Sequence, residues 1–308
     1  MGRSSIITFS APGKVHLLGE HAVVYGKPAL LAAVDLRVFV TISKGQSTHP
    51  LQKIIHPIIK KYLKIKNIPA YQVTFSSQLP QGCGLGSSAS WSAALIAALL
   101  TFLKVKWDKN LVNQLTFEAE KVWHGHPSGA DNSAVVFGGL VWFRKETEDL
   151  KLIHQLPFSI PNKLSKNFVL INTGTPKETT KDMVNWVKSL YHQKPSLVDR
   201  FLQNQEQLTK ELLAALQFKR EKKIISIIKM AENNLENIGV VSKSAAEIIR
   251  NIEYSGGAAK ICGGGGKTGP TGVLLCYHPK SSILAKIAKS HNLDYFKTAL
   301  GVEGLRPE

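Results

Sequence analysis

Hydrophobic and polar positions along this chain fall into two registers. Residues 5–9 and 34–43 carry runs of β-branched and aromatic side chains and predict strands. Leu51, Ile54, Ile55, Ile58, Ile59 and Leu63 recur at helical spacing, with lysines opposite and with Pro57 as a kink or a helix start. A short strand is expected over 72–76 and an Ala/Leu-rich helix over 91–103. Asp108 stands as the cap of a helix reaching about Val122. A turn over 124–133 and a glycine-split strand pair over 134–144 follow. Charges with Pro157 and Pro161 place a boundary near 155–165. Beyond it the pattern predicts strands at 168–172, 273–277 and 295–299. Helices are predicted at 182–191, 197–216, 222–237, 244–254 and 281–289. No repeat of 20–50 residues is visible. Strands and helices mixed in both halves make this an α+β protein of two domains.

Composition narrows the classes. The chain has 308 residues, is 44% hydrophobic and 20% charged, and so can bury a sizeable core rather than remain disordered. Its longest apolar run, Ala93–Leu100, is far short of the ~20 residues of a helical membrane span. Residues 1–10 lack an apolar core and cleavage site, so no secretory signal is expected. The three cysteines, Cys83, Cys262 and Cys276, are odd in number, and two lie in glycine-rich segments; a reducing cytoplasm is the expected setting. The net charge is +17, but the lysines are spread, and the densest clusters, at 60–66 and 219–223, fall on helical patterns. Such charge attracts anions in general. Interleaved basic and aromatic residues on one strand face, which a nucleic-acid-binding protein would show, are missing.

Three segments carry chemistry. In Pro80-Gln-Gly-Cys-Gly-Leu-Gly-Ser-Ser-Ala89 the glycines allow close backbone approach, and a helix N-terminus follows. That combination reads as an anion nest for phosphate, or as a plain glycine-rich turn in which Ser87 caps the helix. It fits neither the Walker pattern nor G-x-G-x-x-G. The second segment runs from Glu120 through His124-Gly-His-Pro-Ser-Gly-Ala-Asp131. It puts one carboxylate at a helix end and another in a tight turn, where Asp131 is either an Asx-turn residue or a group meeting a hydroxyl. His124 and His126 stand two apart with no cysteine nearby, a poor zinc pattern. The third segment, Pro12-Gly-Lys14 with Gly19-Glu-His21, offers a fixed cation at a strand end.

Together these segments resemble the GHMP small-molecule kinase family and, within it, the mevalonate kinase branch. Residues 11–30 look like the family's first motif, 80–89 its second and Lys260-Ile-Cys-Gly-Gly-Gly-Gly266 its third, in the family's order across nearly the whole chain. One departure is an extra Lys-Thr-Gly-Pro-Thr-Gly, residues 267–272, after the third motif.

The resemblance implies a two-domain GHMP fold. A ribosomal protein S5 domain 2-like N-terminal domain (1–160) would precede a ferredoxin-like C-terminal domain (161–308), with the active cleft between them. It implies an ATP- and Mg²⁺-dependent kinase phosphorylating the primary hydroxyl of mevalonate, a step of isoprenoid synthesis. Phosphomevalonate or a sugar is the alternative acceptor, and a nucleic-acid-binding protein on an S5-like fold the alternative of a different class. The implied roles are these. Asp131 takes the hydroxyl proton and Lys14 pairs with it. Pro80, Gly82, Cys83, Gly84, Leu85, Gly86, Ser87, Ser88 and Ala89 hold the ATP phosphates. Ser88 and Glu120 hold Mg²⁺, while Glu20, His21, Ser128, Gly263 and Gly264 face the acceptor. Mevalonate is the expected partner, with no nucleic acid, no membrane, and a homodimer as the one assembly considered.

Overall fold

The computed structural model describes residues 6–80, 82–125, 127–147 and 150–308. The first half contributes β1 (Ile7–Leu18), β2 (Ala29–Ser43), α1 (Pro50–Leu63), β3 (Gln72–Ser77), α2 (Ser87–Phe102), α3 (Lys109–His124), α4 (Ala130–Phe137), β4 (Leu140–Lys145) and β5 (Lys151–Gln155). After the short α5 (Asn162–Ser165) come β6 (Phe168–Asn172), α6 (Thr180–Gln193), α7 (Pro195–Gln217), α8 (Glu221–Asn237) and α9 (Lys243–Tyr254). The chain ends with β7 (Ala258–Ile261), β8 (Val273–Tyr277), α10 (Ser281–Ser290), β9 (Asp294–Phe296) and β10 (Arg306–Pro307). The α+β expectation holds.

Two sheets organise the chain. The first has the order β10-β1-β2-β4-β5, and the long β2 pairs with β3 through 38–43 and with β4 through 29–32. The second is antiparallel, with the order β7-β8-β6-β9. Helix α2 is apolar on nearly every side, and eleven of its 16 residues are buried against β1, β2 and α3. An all-round apolar helix has no solvent face, so it is the centre of this core. Helix α7 joins the two cores: Val198, Phe201 and Leu202 pack with the second sheet, and Leu208, Leu212 and Leu216 with the first. The C-terminus returns to the first sheet, where the buried Arg37 guanidinium donates to the carbonyls of Glu303 (2.8 Å) and Gly304 (2.7 Å).

Several expectations are corrected. The first strand does not stop at residue 9, and Lys14 is not at a strand end but within β1; Pro12 is accommodated by a register shift between Pro12 and Gly13, where a ladder hydrogen bond is not required. Residues 134–137 are not a strand but the end of α4, followed by β4. Val135 and Val136 have strand propensity, but full burial against α2, β1 and β2 outweighs it. The short strands β5 and β10 carry no clear periodic signal. Pro57 lies inside α1 rather than at its start.

Candidate active site

Strand β1 is the spine of the site. Lys14 and His16 are two residues apart and so project from the same face of the strand. Helix α4 begins at Ala130, which puts Asp131 in its first turn, not in the expected tight turn. There its carboxylate also benefits from the helix dipole. Lys14 Nζ stands 3.1 Å from Asp131 Oδ1, and His16 Nε2 stands 3.4 Å from the same oxygen. Lys14 and His16 are buried, while Asp131 keeps a partly open face. Burial alone would push the Asp131 carboxyl up. The Lys14 ammonium and the His16 contact more than offset this and hold it well below the usual carboxylate range.

The glycine segment folds against this pair. Lys14 N–H donates to Leu85 O at 2.9 Å. Gly86 has φ +75°, and a Cβ there would stand 2.9 Å from Lys14 Cγ, so a side chain would displace the lysine stem. Gly86 is also the N-cap of α2, with no side chain capping the helix. The reading of Ser87 as cap is therefore corrected: Ser87 is the first helical residue. The first-turn amides of α2 are left for an anion. Pro80 opens the segment half-buried, Gly82 and Gly84 are exposed, and Leu85 and Ala89 anchor it in the core.

Ser88, in the first turn of α2, and Glu120, near the end of α3, come together around His124. The Ser88 hydroxyl lies 3.2 Å from His124 Nε2, which in turn stands 3.6 Å from Glu120 Oε2. Glu120 is 2% exposed, and its Oε1 has no hydrogen-bond partner among the described residues. Burial, and then the neighbouring Asp131 charge, push its carboxyl up to about 8, partly offset by Ser88 and Lys14. A buried carboxyl with a bare oxygen beside a hydroxyl suits a small hard cation, which takes oxygen ligands and fills its remaining positions with water and phosphate. The donor set fits Mg²⁺. Among the described residues no group of three or more His, Cys, Asp or Glu side chains forms a metal cluster, and His126 of the weak zinc pattern lies outside them.

A cleft of about 210 Å³ opens between the glycine segments, lined by Gly82, Cys83, Gly84, Thr175, Pro176, Glu178, Thr179, Thr180, Cys262, Gly264, Gly265 and Thr271. Gly264 lines this cleft, and a Cβ on Gly263 would stand 3.8 Å from Gly84 O in the second glycine segment. Ser128 accepts the Ala130 amide at 3.2 Å and shapes the start of α4. Glu20, expected to face the acceptor, lies inside the protein. It is fully buried and ion-paired with the equally buried Lys260, because a charge inside the core requires a counter-charge, while its Oε2 has no hydrogen-bond partner among the described residues. His21, with φ 59°, hydrogen-bonds through Nε2 to Gly264 O at 3.0 Å. Burial lowers its basicity, against the opposing pull of Gly264 O and Glu20. It ties the first segment to the third rather than lying open.

His16 and the threonines of 175–180 are site residues that the sequence reading missed. The signal for His16 was its spacing of two from Lys14, hidden because the predicted strand ended at residue 9. Cys83 is buried, and burial pushes its thiol up against hydrogen bonds from Asn172 and Thr175.

Comparison with known proteins bears on this site. Residues 51–139 match the family model for the GHMP kinases N terminal domain, and residues 1–44 match the galactokinase galactose-binding signature. A mevalonate kinase from Archaeoglobus fulgidus is 31% identical over 294 residues, 91% of this chain and 96% of that protein. The structure of L. major mevalonate kinase in complex with R-mevalonate aligns with TM-score 0.79 at 21% identity, over 99% of this chain and 97% of that one. Streptococcus pneumoniae phosphomevalonate kinase in complex with phosphomevalonate and AMPPNP aligns with TM-score 0.75 at 18% identity, over 95% and 99%. Among the described residues no helix is long and apolar enough to cross a membrane.

Proposed function

Since this chain belongs to the mevalonate kinase family of the GHMP kinases, we propose that it transfers the γ-phosphoryl group of ATP to the primary hydroxyl of mevalonate, giving 5-phosphomevalonate and ADP. The observation that carries the chemistry is the Lys14–Asp131 pair at 3.1 Å beside an α2 N-terminus that no side chain caps. Amides of 82–88 cradle the ATP phosphates. The acceptor hydroxyl hydrogen-bonds to Asp131, which takes its proton as the new P–O bond forms. A carboxylate this weakly basic is sufficient, because the transition state is loose and the hydroxyl becomes acidic only as it bonds to phosphorus. Lys14 keeps Asp131 ionised and sets positive charge beside the transferred group. Ser88 and Glu120 would hold Mg²⁺, which supplies neutralisation of phosphate charge. Gly263 and Gly264 close the cleft from the side of the second sheet.

The acceptor is read as mevalonate rather than phosphomevalonate on a further ground. Lys267, in the extra 267–272 segment, would be the added cation for a second phosphate. Its Nζ instead sits 3.3 Å from the Trp186 ring centroid. A sugar acceptor is the second reading, favoured by the galactokinase signature over residues 1–44. The division into a phosphate half (1–160) and a half bearing the third glycine segment (161–308) belongs to the same proposal. So does a cytoplasmic setting, supported by three free thiols. ADP release with ATP and Mg²⁺ against mevalonate, phosphomevalonate and galactose tests it. Mevalonate should lead by at least about tenfold in kcat/KM. A faster phosphomevalonate or galactose reaction overturns the acceptor assignment.

A further inference from the structure

One buried titratable side chain is not used by the reaction as described: His16, only 5% exposed. Its Nε2 and Lys14 Nζ both approach Asp131 Oδ1, at 3.4 and 3.1 Å. Among the described residues nothing donates to Asp131 Oδ2, and the side chain is 37% exposed. A carboxylate can only accept, so the ring donates to it through Nε2. His16 Nδ1 is buried and has no hydrogen-bond partner among the described residues. A buried polar atom without a partner disfavours folding, and an apolar residue of similar volume would suit this core better. The backbone here is also fixed, since the buried Lys260 ammonium donates to His16 O at 3.2 Å.

We propose that His16 is a positioning residue for phosphoryl transfer. With Lys14 it engages Oδ1 of Asp131, turns the carboxylate, and leaves Oδ2 as the oxygen presented to the acceptor hydroxyl. A carboxylate held by Lys14 alone can swing about that single contact and exchange its two oxygens. Two donors converging from one strand face onto one oxygen remove that freedom, and misorientation of a reacting group is costly to rate. This inference rests on the reading of Asp131 as the base.

The test measures kcat, KM for ATP and mevalonate, and thermal unfolding for His16→Leu, His16→Gln, His16→Asn and Asp131→Asn. His16→Leu should lower kcat about tenfold, with KM for ATP within about twofold and no fall in Tm. In His16→Gln the amide nitrogen reaches the place of Nε2 and should recover most of that loss. His16→Asn, whose amide is too short, should behave like His16→Leu and replaces it if the leucine protein does not fold. Wild-type kcat in the leucine and asparagine proteins, with Asp131→Asn inactive, overturns the inference alone. So does a glutamine protein as slow as the leucine one. Wild-type activity in Asp131→Asn overturns the reading of the base and this inference with it.

Discussion

Glu120→Gln isolates the conformational cost of building a cation site. In the metal-free protein the Glu120 carboxyl is pushed from 4.5 up to about 8, chiefly by burial. Between those values the folded protein keeps the proton that the unfolded chain has released. Unfolding therefore releases a proton, and stability falls as pH rises. At 1.36 kcal/mol per pH unit, the wild type forfeits under about 1 kcal/mol at pH 5 and about 3 kcal/mol at pH 7, levelling off above pH 8. Glutamine has the same shape and no proton to lose. In EDTA its melting temperature should exceed that of the wild type by little at pH 5 and by roughly 5 °C at pH 7. MgATP should then stabilise the wild type more than the variant, since the ionised carboxylate gains its partner. Thermal unfolding at both pH values, with EDTA and with MgATP, is the assay. A difference between the two proteins that does not grow from pH 5 to pH 7 refutes the reasoning. Glu232, also raised to about 8, is present in both proteins and cancels.

Three other perturbations bear on the site. Gly86→Ala places a Cβ 2.9 Å from Lys14 Cγ at a φ of +75°, so kcat should fall at least about tenfold with the lysine displaced; steady-state kinetics decides. Lys14→Met removes the cation that lowers the Asp131 carboxyl, so the acid limb of the kcat–pH profile should move to higher pH, and an unmoved limb would count against the pairing. Cys83, buried with its thiol pushed up, should react with iodoacetamide far more slowly than an exposed cysteine; stoichiometric alkylation within minutes would contradict the packing of the phosphate segment.

What was legible in the sequence was local. Helical spacing marked α1, α3 and α6–α10, an unbroken Ala/Leu run marked the central α2, and glycine spacing marked the two segments that border the cleft. Lys14, Ser88, Glu120 and Asp131 could be singled out because each belongs to a short pattern. Their encounter could not be derived from local spacing: Lys14 meets Asp131 across 117 positions, on a strand whose predicted span ended at residue 9. Only the tertiary structure showed that Val135 and Val136 are helical, because burial against α2 and two strands outweighs their own preference. It turned Glu20 inward to Lys260, 240 positions away, where periodicity cannot report a counter-charge. It also laid Lys267 over Trp186 and brought His16 to Asp131, changing the chemistry of residues whose neighbours in sequence say nothing of either contact.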